Sequence, residues 1–152
     1  MVPPELKDIL LADDSGKDVE LILTALQQHN IANRVVVVRD GAEALEYLYR
    51  EGEFAQRRGG NPAVILLDLK MPRVDGLEVL RRVKADDNLK TIPVVILTSS
   101  REERDLVEGY RLGVNAYLVK PIRFNEFMEA VGRLGIFWVL TDEPPPESGG
   151  AG

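Results

Sequence analysis

The stretch Ala63-Val64-Ile65-Leu66-Leu67-Asp68-Leu69-Lys70-Met71-Pro72 decides the fold. Its apolar run is rich in branched residues and shows no polar alternation, the pattern of a strand buried on both faces of a parallel sheet. The run breaks at a carboxylate, Asp68, and the stretch closes four residues later at Pro72. A carboxylate at the exit of a buried strand is paired, hydrated, metal-bound or reactive, because an ionised group left without any of these in apolar surroundings is too costly.

Outward from this strand, apolar segments of strand length alternate with helical ones. Upstream, Leu6 to Ala12 reads as a strand that ends in Asp13-Asp14-Ser15-Gly16. A helix follows, with Val19, Ile22, Leu23 and Leu26 at i, i+3, i+4 and i+7 and Ser15 placed as its N-cap. Arg34 to Val38 is a second strand, and Asp40-Gly41 leads into a helix with Ala42, Leu45 and Leu48 inward. The segment from Glu51 to Pro62 is long for a connection in such a fold, and part of it is expected to extend that helix. Downstream, a helix carries Leu77, Leu80 and Val83, and Pro93 to Leu97 is a strand ending in Thr98-Ser99-Ser100. A charged helix from Arg101 to Leu112 stops at Gly113. Ala116 to Val119 is the fifth strand, ending in Lys120-Pro121, and a last helix carries Phe124, Phe127, Met128, Val131 and Leu134. Five such units give an α/β fold, a doubly wound five-stranded parallel sheet of flavodoxin-like type. The five-strand count favours the strand order 2-1-3-4-5.

The chain reads as one domain over residues 5–135. An apolar extension at 136–143 contains Phe137 and Trp138, and a Pro/Gly/Ser tail at 144–152 is expected to be disordered. A net charge of −6 argues against a nucleic-acid partner, since such affinity rests on Lys and Arg neutralising phosphates. No apolar run is long enough to span a membrane, and the N-terminus lacks the regions of a signal peptide. There is no cysteine, and the single histidine, His29, sits among polar neighbours at a helix end and reads as a surface residue. Cytoplasmic residence is the expectation.

In an open parallel sheet, ligands sit beyond the carboxyl ends of the strands, near the point where strand order reverses. Four of the five strand ends carry polar or charged groups: Asp13-Asp14, Asp68, Thr98 with Ser99, and Lys120. Three carboxylates in one crevice repel, by roughly 4 kcal/mol per contact at about 4 Å and an effective dielectric near 20. Either some protonate or a cation neutralises them, and hard oxygen ligands without histidine or cysteine suit Mg²⁺. Thr98 and Lys120 then offer the hydroxyl and the cation that a phosphate needs, and an aspartate can itself be the nucleophile that forms an acyl phosphate. Taken singly, each residue has a plain explanation: an acid favoured by a helix dipole, a solvated cap or a turn residue. Their joint occurrence at four strand ends makes a functional site.

Asp13-Asp14, Asp68 with Met71-Pro72 and Asp75-Gly76, Thr98, Tyr117 and Lys120-Pro121 together resemble the receiver domain of two-component response regulators, over about Asp8 to Leu134. The resemblance implies that Asp68 accepts a phosphoryl group from a phosphohistidine of a sensor histidine kinase in a Mg²⁺-dependent reaction. It implies that Asp14 and Asp68 bind the metal directly, that the backbone carbonyl of Lys70 is a further ligand, and that Asp13 acts through a metal-bound water. Thr98 and Lys120 would hold the phosphoryl oxygens, and Lys120-Pro121 would be a cis peptide. Tyr117 matches the family's switch aromatic, which turns inward as Thr98 moves toward the phosphate. Kinase docking falls to the first helix around Lys17, Val19 and Ile22 and to the loop Ile122-Arg123-Phe124. The long loop before the third strand, Phe137-Trp138 and Glu143-Pro144-Pro145-Pro146 resemble regulators paired with bacterial phytochromes, which implies a light-regulated kinase and a homodimer through the fourth helix, fifth strand and extension. With no output domain following, a stand-alone regulator is expected.

One residue refines the pattern. Lys70, two positions past Asp68, would attract an anionic donor or alter phosphate lifetime. It also stands where an aspartyl phosphatase resembling this fold carries its second, acid/base aspartate, so turnover of an external substrate is not expected and the chain reads as a non-enzyme. A flavin module of flavodoxin type would want a Gly/Ser/Thr loop where Asp13-Asp14 stands, and a scaffold that is never phosphorylated is the remaining alternative.

Overall fold

The computed structural model describes residues 6–99, 101–109 and 111–133. In chain order the elements are β1 (Ile9–Ala12), α1 (Gly16–Gln28), β2 (Val35–Val38), α2 (Gly41–Tyr49), β3 (Val64–Asp68), α3 (Gly76–Ala85), β4 (Val94–Thr98), α4 (Arg101–Gly109), β5 (Ala116–Val119) and α5 (Phe124–Gly132). The strands form one parallel sheet in the order β2-β1-β3-β4-β5, which the sequence anticipates. The extension at 136–143, with Phe137 and Trp138, and the tail at 144–152 lie outside the described residues. No helix among the described residues is long and apolar enough to cross a membrane.

The period of two along each strand builds two separate cores. Leu10, Ala12, Ile65, Leu67, Val94 and Ile96 point to one face, where they meet Ala44, Leu45 and Leu48 of α2 and Val79, Leu80 and Val83 of α3. Ile9, Leu11, Val64, Leu66, Val95 and Leu97 point to the other, against Val19, Ile22 and Leu26 of α1 and Phe127 of α5. All five residues of β3 are buried, as a central strand requires. Val19 and Ile22 are buried in this second core, at 4% and 0% exposure, so they cannot form the docking surface expected of them. Leu23, one step round the same helix, is the exposed apolar residue there.

Strand β1 starts at Ile9, shorter than the expected run from Leu6. α2 does not continue into the long connection. Arg50 caps it in the left-handed conformation at φ 57°, and a 3-10 turn at Gly52–Phe54 follows. Arg57 then pins the connection. Its Nε donates to the Tyr47 carbonyl at 3.0 Å, its guanidinium lies 3.9 Å from the centre of the Tyr47 ring, and its Nη1 donates to the Gly60 carbonyl. The fully buried Tyr47 in turn donates its hydroxyl to Asp8 Oδ2 at 2.7 Å. α4 ends at Gly109, short of Leu112, at a residue with little helix propensity.

The turn after β3 is closed by Gly76, which opens α3 and donates its N–H to the Leu69 carbonyl at 2.9 Å. A Cβ at this position would sit 2.1 Å from the Asp68 carbonyl oxygen and 2.7 Å from Leu69 Cα. Both are backbone atoms that cannot swing aside. Gly76→Ala is therefore expected to lower the free energy of urea unfolding by about 2 kcal/mol. An unchanged midpoint would show that the turn holding Asp68 is softer than this packing indicates.

Candidate functional site

β1 and β3 run in register, with Ala12 opposite Leu67. One step further along both strands stand Asp13 and Asp68, on neighbouring strands and the same face of the sheet. Both are buried, at 0% and 4% exposure, whereas Asp14 is exposed. Each carboxylate is oriented by a backbone N–H two residues on: Ser15 donates to Asp13 Oδ1 at 2.9 Å, and Lys70 donates to Asp68 Oδ1 at 3.2 Å. Ser15 also caps α1 by accepting from Asp18 N, as its place in the sequence predicts.

Lys120 leaves the end of β5 and brings its ammonium into this cluster. Nζ lies 3.2 Å from Asp13 Oδ2, 3.3 Å from Asp68 Oδ2 and 2.9 Å from Asp18 Oδ2. The Lys120-Pro121 peptide is cis. Burial works against the ammonium, but Asp18, Asp68 and Asp13 outweigh it and hold the pKa of Lys120 above its ordinary value. For Asp68 the balance goes the other way. Burial and the Asp13 charge push its carboxyl up to about 6, against the pull of Lys120 and the Lys70 N–H. One ammonium is too little positive charge for these acids.

The donor set suits a hard divalent cation. Asp13, Asp14 and Asp68 present carboxylate oxygens that all lie within 4.8 Å of one another. Asp13 Oδ2 is buried and accepts no hydrogen bond, its approach to Lys120 being outside hydrogen-bonding geometry. A buried carboxylate oxygen left in this way is what a metal ion or its hydration shell satisfies.

Thr98, fully buried at the end of β4, points its hydroxyl at Glu103 Oε1, 2.8 Å away. Lys70, largely exposed, pairs with Oε2 of the same Glu103 at 3.1 Å. Tyr117 is half-buried on β5 and packs against the core on the α2/α3 face of the sheet. His29 is exposed, as expected, and its ring stacks on Phe124 at 4.8 Å. The structure thus gathers Asp13, Asp14, Asp68 and Lys120 into one cluster. Asp18 and Glu103 join the site without having been singled out. Ser15 three residues before Asp18 is a capping signal that could have drawn attention to the acid, but not to its use on Lys120.

The chain matches the response regulator receiver domain family model over residues 9–132. The bacteriophytochrome response regulator RtBRR superposes with a TM-score of 0.83 at 59% identity, over 94% of this chain and 86% of that one. The bacteriophytochrome response regulator AtBRR gives 0.82 at 60%, over 92% and 100%. Response regulator Rcp1 of Synechocystis sp. is 38% identical over 91% of this chain and 92% of its own length, and its Mn(2+)-bound crystal form superposes at 0.72.

Proposed function

The chain belongs to the response regulator receiver family, and from that membership we propose that Asp68 takes a phosphoryl group from the phosphohistidine of a sensor histidine kinase. The observation that carries this reading is the buried Asp68 carboxylate, held in place by the Lys70 N–H and facing the Lys120 ammonium. In the transfer, one Asp68 oxygen bonds to phosphorus as the P–N bond breaks. The electron pair stays on the histidine nitrogen, which takes up a proton. Such transfers need positioning and charge stabilisation more than covalent help from the protein. The rigid strand end supplies the first. Lys120 supplies part of the second and, with Thr98, would receive the phosphoryl oxygens.

Asp14 and Asp68 would hold Mg²⁺ directly, with the Lys70 backbone carbonyl as a further ligand and Asp13 acting through water. When bound, the ion supplies the positive charge that neutralises the phosphoryl oxygens. The Mn(2+)-bound form of Rcp1 supports this assignment. Because the Asp68 carboxyl is pushed up to about 6, protons compete with the ion there. A hundredfold excess of Mg²⁺ over its Kd stabilises by about 2.7 kcal/mol when the site is ionised. The Mg²⁺-induced rise in Tm is therefore expected to be full above pH 7 and mostly lost by pH 5. A rise independent of pH would place the ion elsewhere.

Transfer is tested with phosphoramidate and Mg²⁺, followed by intact mass. One added phosphoryl group that requires Mg²⁺ supports the reading, and an unmodified protein favours a scaffold that is never phosphorylated. Turnover of generic phosphoesters is not expected, since Lys70 stands where an acid/base aspartate would act. The names of RtBRR and AtBRR support a bacterial phytochrome as the kinase, and so a cytoplasmic reaction. Docking would use the exposed residues Lys17, Leu23 and Arg123. We assign residues 5–135 to the receiver and 136–143 to a contact between two copies. Val119, 55% exposed on β5, the edge strand among the described residues, supports a homodimer through that face. Switching would involve Thr98 and Tyr117.

A further inference from the structure

We propose that Glu103 is a positioning residue that holds the switch donors in the unphosphorylated arrangement, competing for them with the phosphoryl group on Asp68. This rests on the phosphoacceptor reading and extends it to a residue of α4. The Glu103 carboxylate gathers a fan of donors: the Thr98 hydroxyl at 2.8 Å, the Ser99 N–H at 3.1 Å, the Ser99 hydroxyl at 3.0 Å and the Lys70 ammonium at 3.1 Å. Hydroxyl, backbone N–H and ammonium are the groups that bind a phosphoryl group. The carboxylate is largely shielded from solvent, its side chain 12% exposed. Burial raises its pKa, but the bonds from Thr98, Lys70 and Ser99 outweigh burial and hold the carboxyl below the usual carboxylate range. It is therefore a permanent anion at neutral pH.

The competition follows from proton counting. A threonine hydroxyl has one hydrogen and donates to one acceptor at a time. While Thr98 donates to Glu103 it cannot donate to a phosphoryl oxygen on Asp68. Lys70 sits two residues past Asp68 and is drawn by the same carboxylate toward α4. Phosphorylation must break the Thr98 bond, and the released Glu103 then leaves the end of β4 and the first turn of α4 with a changed set of contacts. This links the chemistry at β3 to the α4 face through one side chain. It is also a two-state element whose balance the phosphoryl group can shift.

A plainer role exists. Glu103 stands at the third position of α4, three residues after Ser100, the spacing of a helix capping box. The two roles separate in a double-mutant cycle read with beryllofluoride, a non-covalent phosphoryl mimic, and Mg²⁺. If Glu103 competes for Thr98, Glu103→Ala tightens apparent beryllofluoride affinity about tenfold, as expected for loss of one charge-assisted bond. In a Thr98→Ala background the same substitution has little effect. Glu103→Gln, which keeps the shape and most of the cap but loses the charge, shifts affinity in the same direction by about threefold and guards against a misfolded alanine variant. A Glu103→Ala variant that loses Tm and leaves beryllofluoride affinity unchanged or weaker overturns the proposal in favour of a cap. An equal gain with and without Thr98 overturns it as well. A wild-type protein that binds no beryllofluoride overturns the phosphoacceptor reading itself, and the two failures are thereby distinct.

Discussion

Lys120→Met is expected to unfold more easily without metal, by about 3 kcal/mol at pH 7, and to accept phosphoryl groups about a hundredfold more slowly. Lys120 Nζ lies within 3.3 Å of carboxylate oxygens of Asp13, Asp18 and Asp68. Removing one partner of a buried charge cluster leaves the others uncompensated, and Asp13 is fully buried. The side chain of Lys120 is 17% exposed, so solvent takes up part of the loss and the lower end of the usual range applies. Asp68, whose carboxyl is already raised to about 6, can relieve the repulsion by protonating, so the loss should shrink at pH 5. Mg²⁺ bound beside the acids should restore most of the stability and bind more tightly than in the wild type, because a competing cation is gone. It should not restore the transfer rate if Lys120 faces the phosphoryl oxygens as proposed. Stability and rate recovering together would show that Lys120 only balances charge.

Asp68→Asn is expected to stabilise the metal-free protein at pH 7, by about 2 kcal/mol. The substitution is nearly isosteric and keeps an acceptor for the Lys70 N–H while removing a carboxylate that both burial and Asp13 disfavour. A shift of one pKa unit corresponds to about 1.4 kcal/mol. The sign follows from linkage: an acid whose folded pKa lies above its unfolded value binds its proton more tightly when folded. Its contribution is present in full below the unfolded value, near 3.8, and is lost as pH rises through about 6. Metal-free wild type should lose stability across that window relative to Asp68→Asn, with the two curves parallel above it. Urea titrations at pH 4, 5, 6 and 7 in a chelator measure both. A variant less stable at pH 7 would mean that the Asp68 charge is favoured where it stands.

The parts of this protein legible in its sequence are those set by local pattern. β3 announces itself through Val64 to Leu67, and the polar groups at four strand ends identify the crevice before any strand is placed. Ser15 as a cap and Lys120 as the cation both follow from position along the chain. What the sequence hides depends on docking between elements. Asp18 is an ordinary first-turn acid until the fold carries Lys120, just past the end of β5, to within 2.9 Å of it. Glu103 is one of several acids in α4, and its hold on Thr98 and Lys70 exists only once α4 lies over the ends of β3 and β4. Val19 and Ile22 fit an amphipathic face, but periodicity does not tell a core face from a docking face. The connection after α2 gives no periodic signal, because Arg57 orders it by bonding to carbonyls and stacking on Tyr47.

The buried acid at the end of β3, and not its neighbours just past the end of β1, is expected to form the acyl phosphate. Reductive trapping tests it most directly. The protein is loaded with phosphoramidate and Mg²⁺, treated with borohydride to convert an aspartyl phosphate to homoserine, and sequenced by tandem mass spectrometry. Homoserine is expected at position 68 alone, and none without Mg²⁺ or in Asp68→Asn. Homoserine at position 13 or 14, or loading that persists in Asp68→Asn, would contradict it.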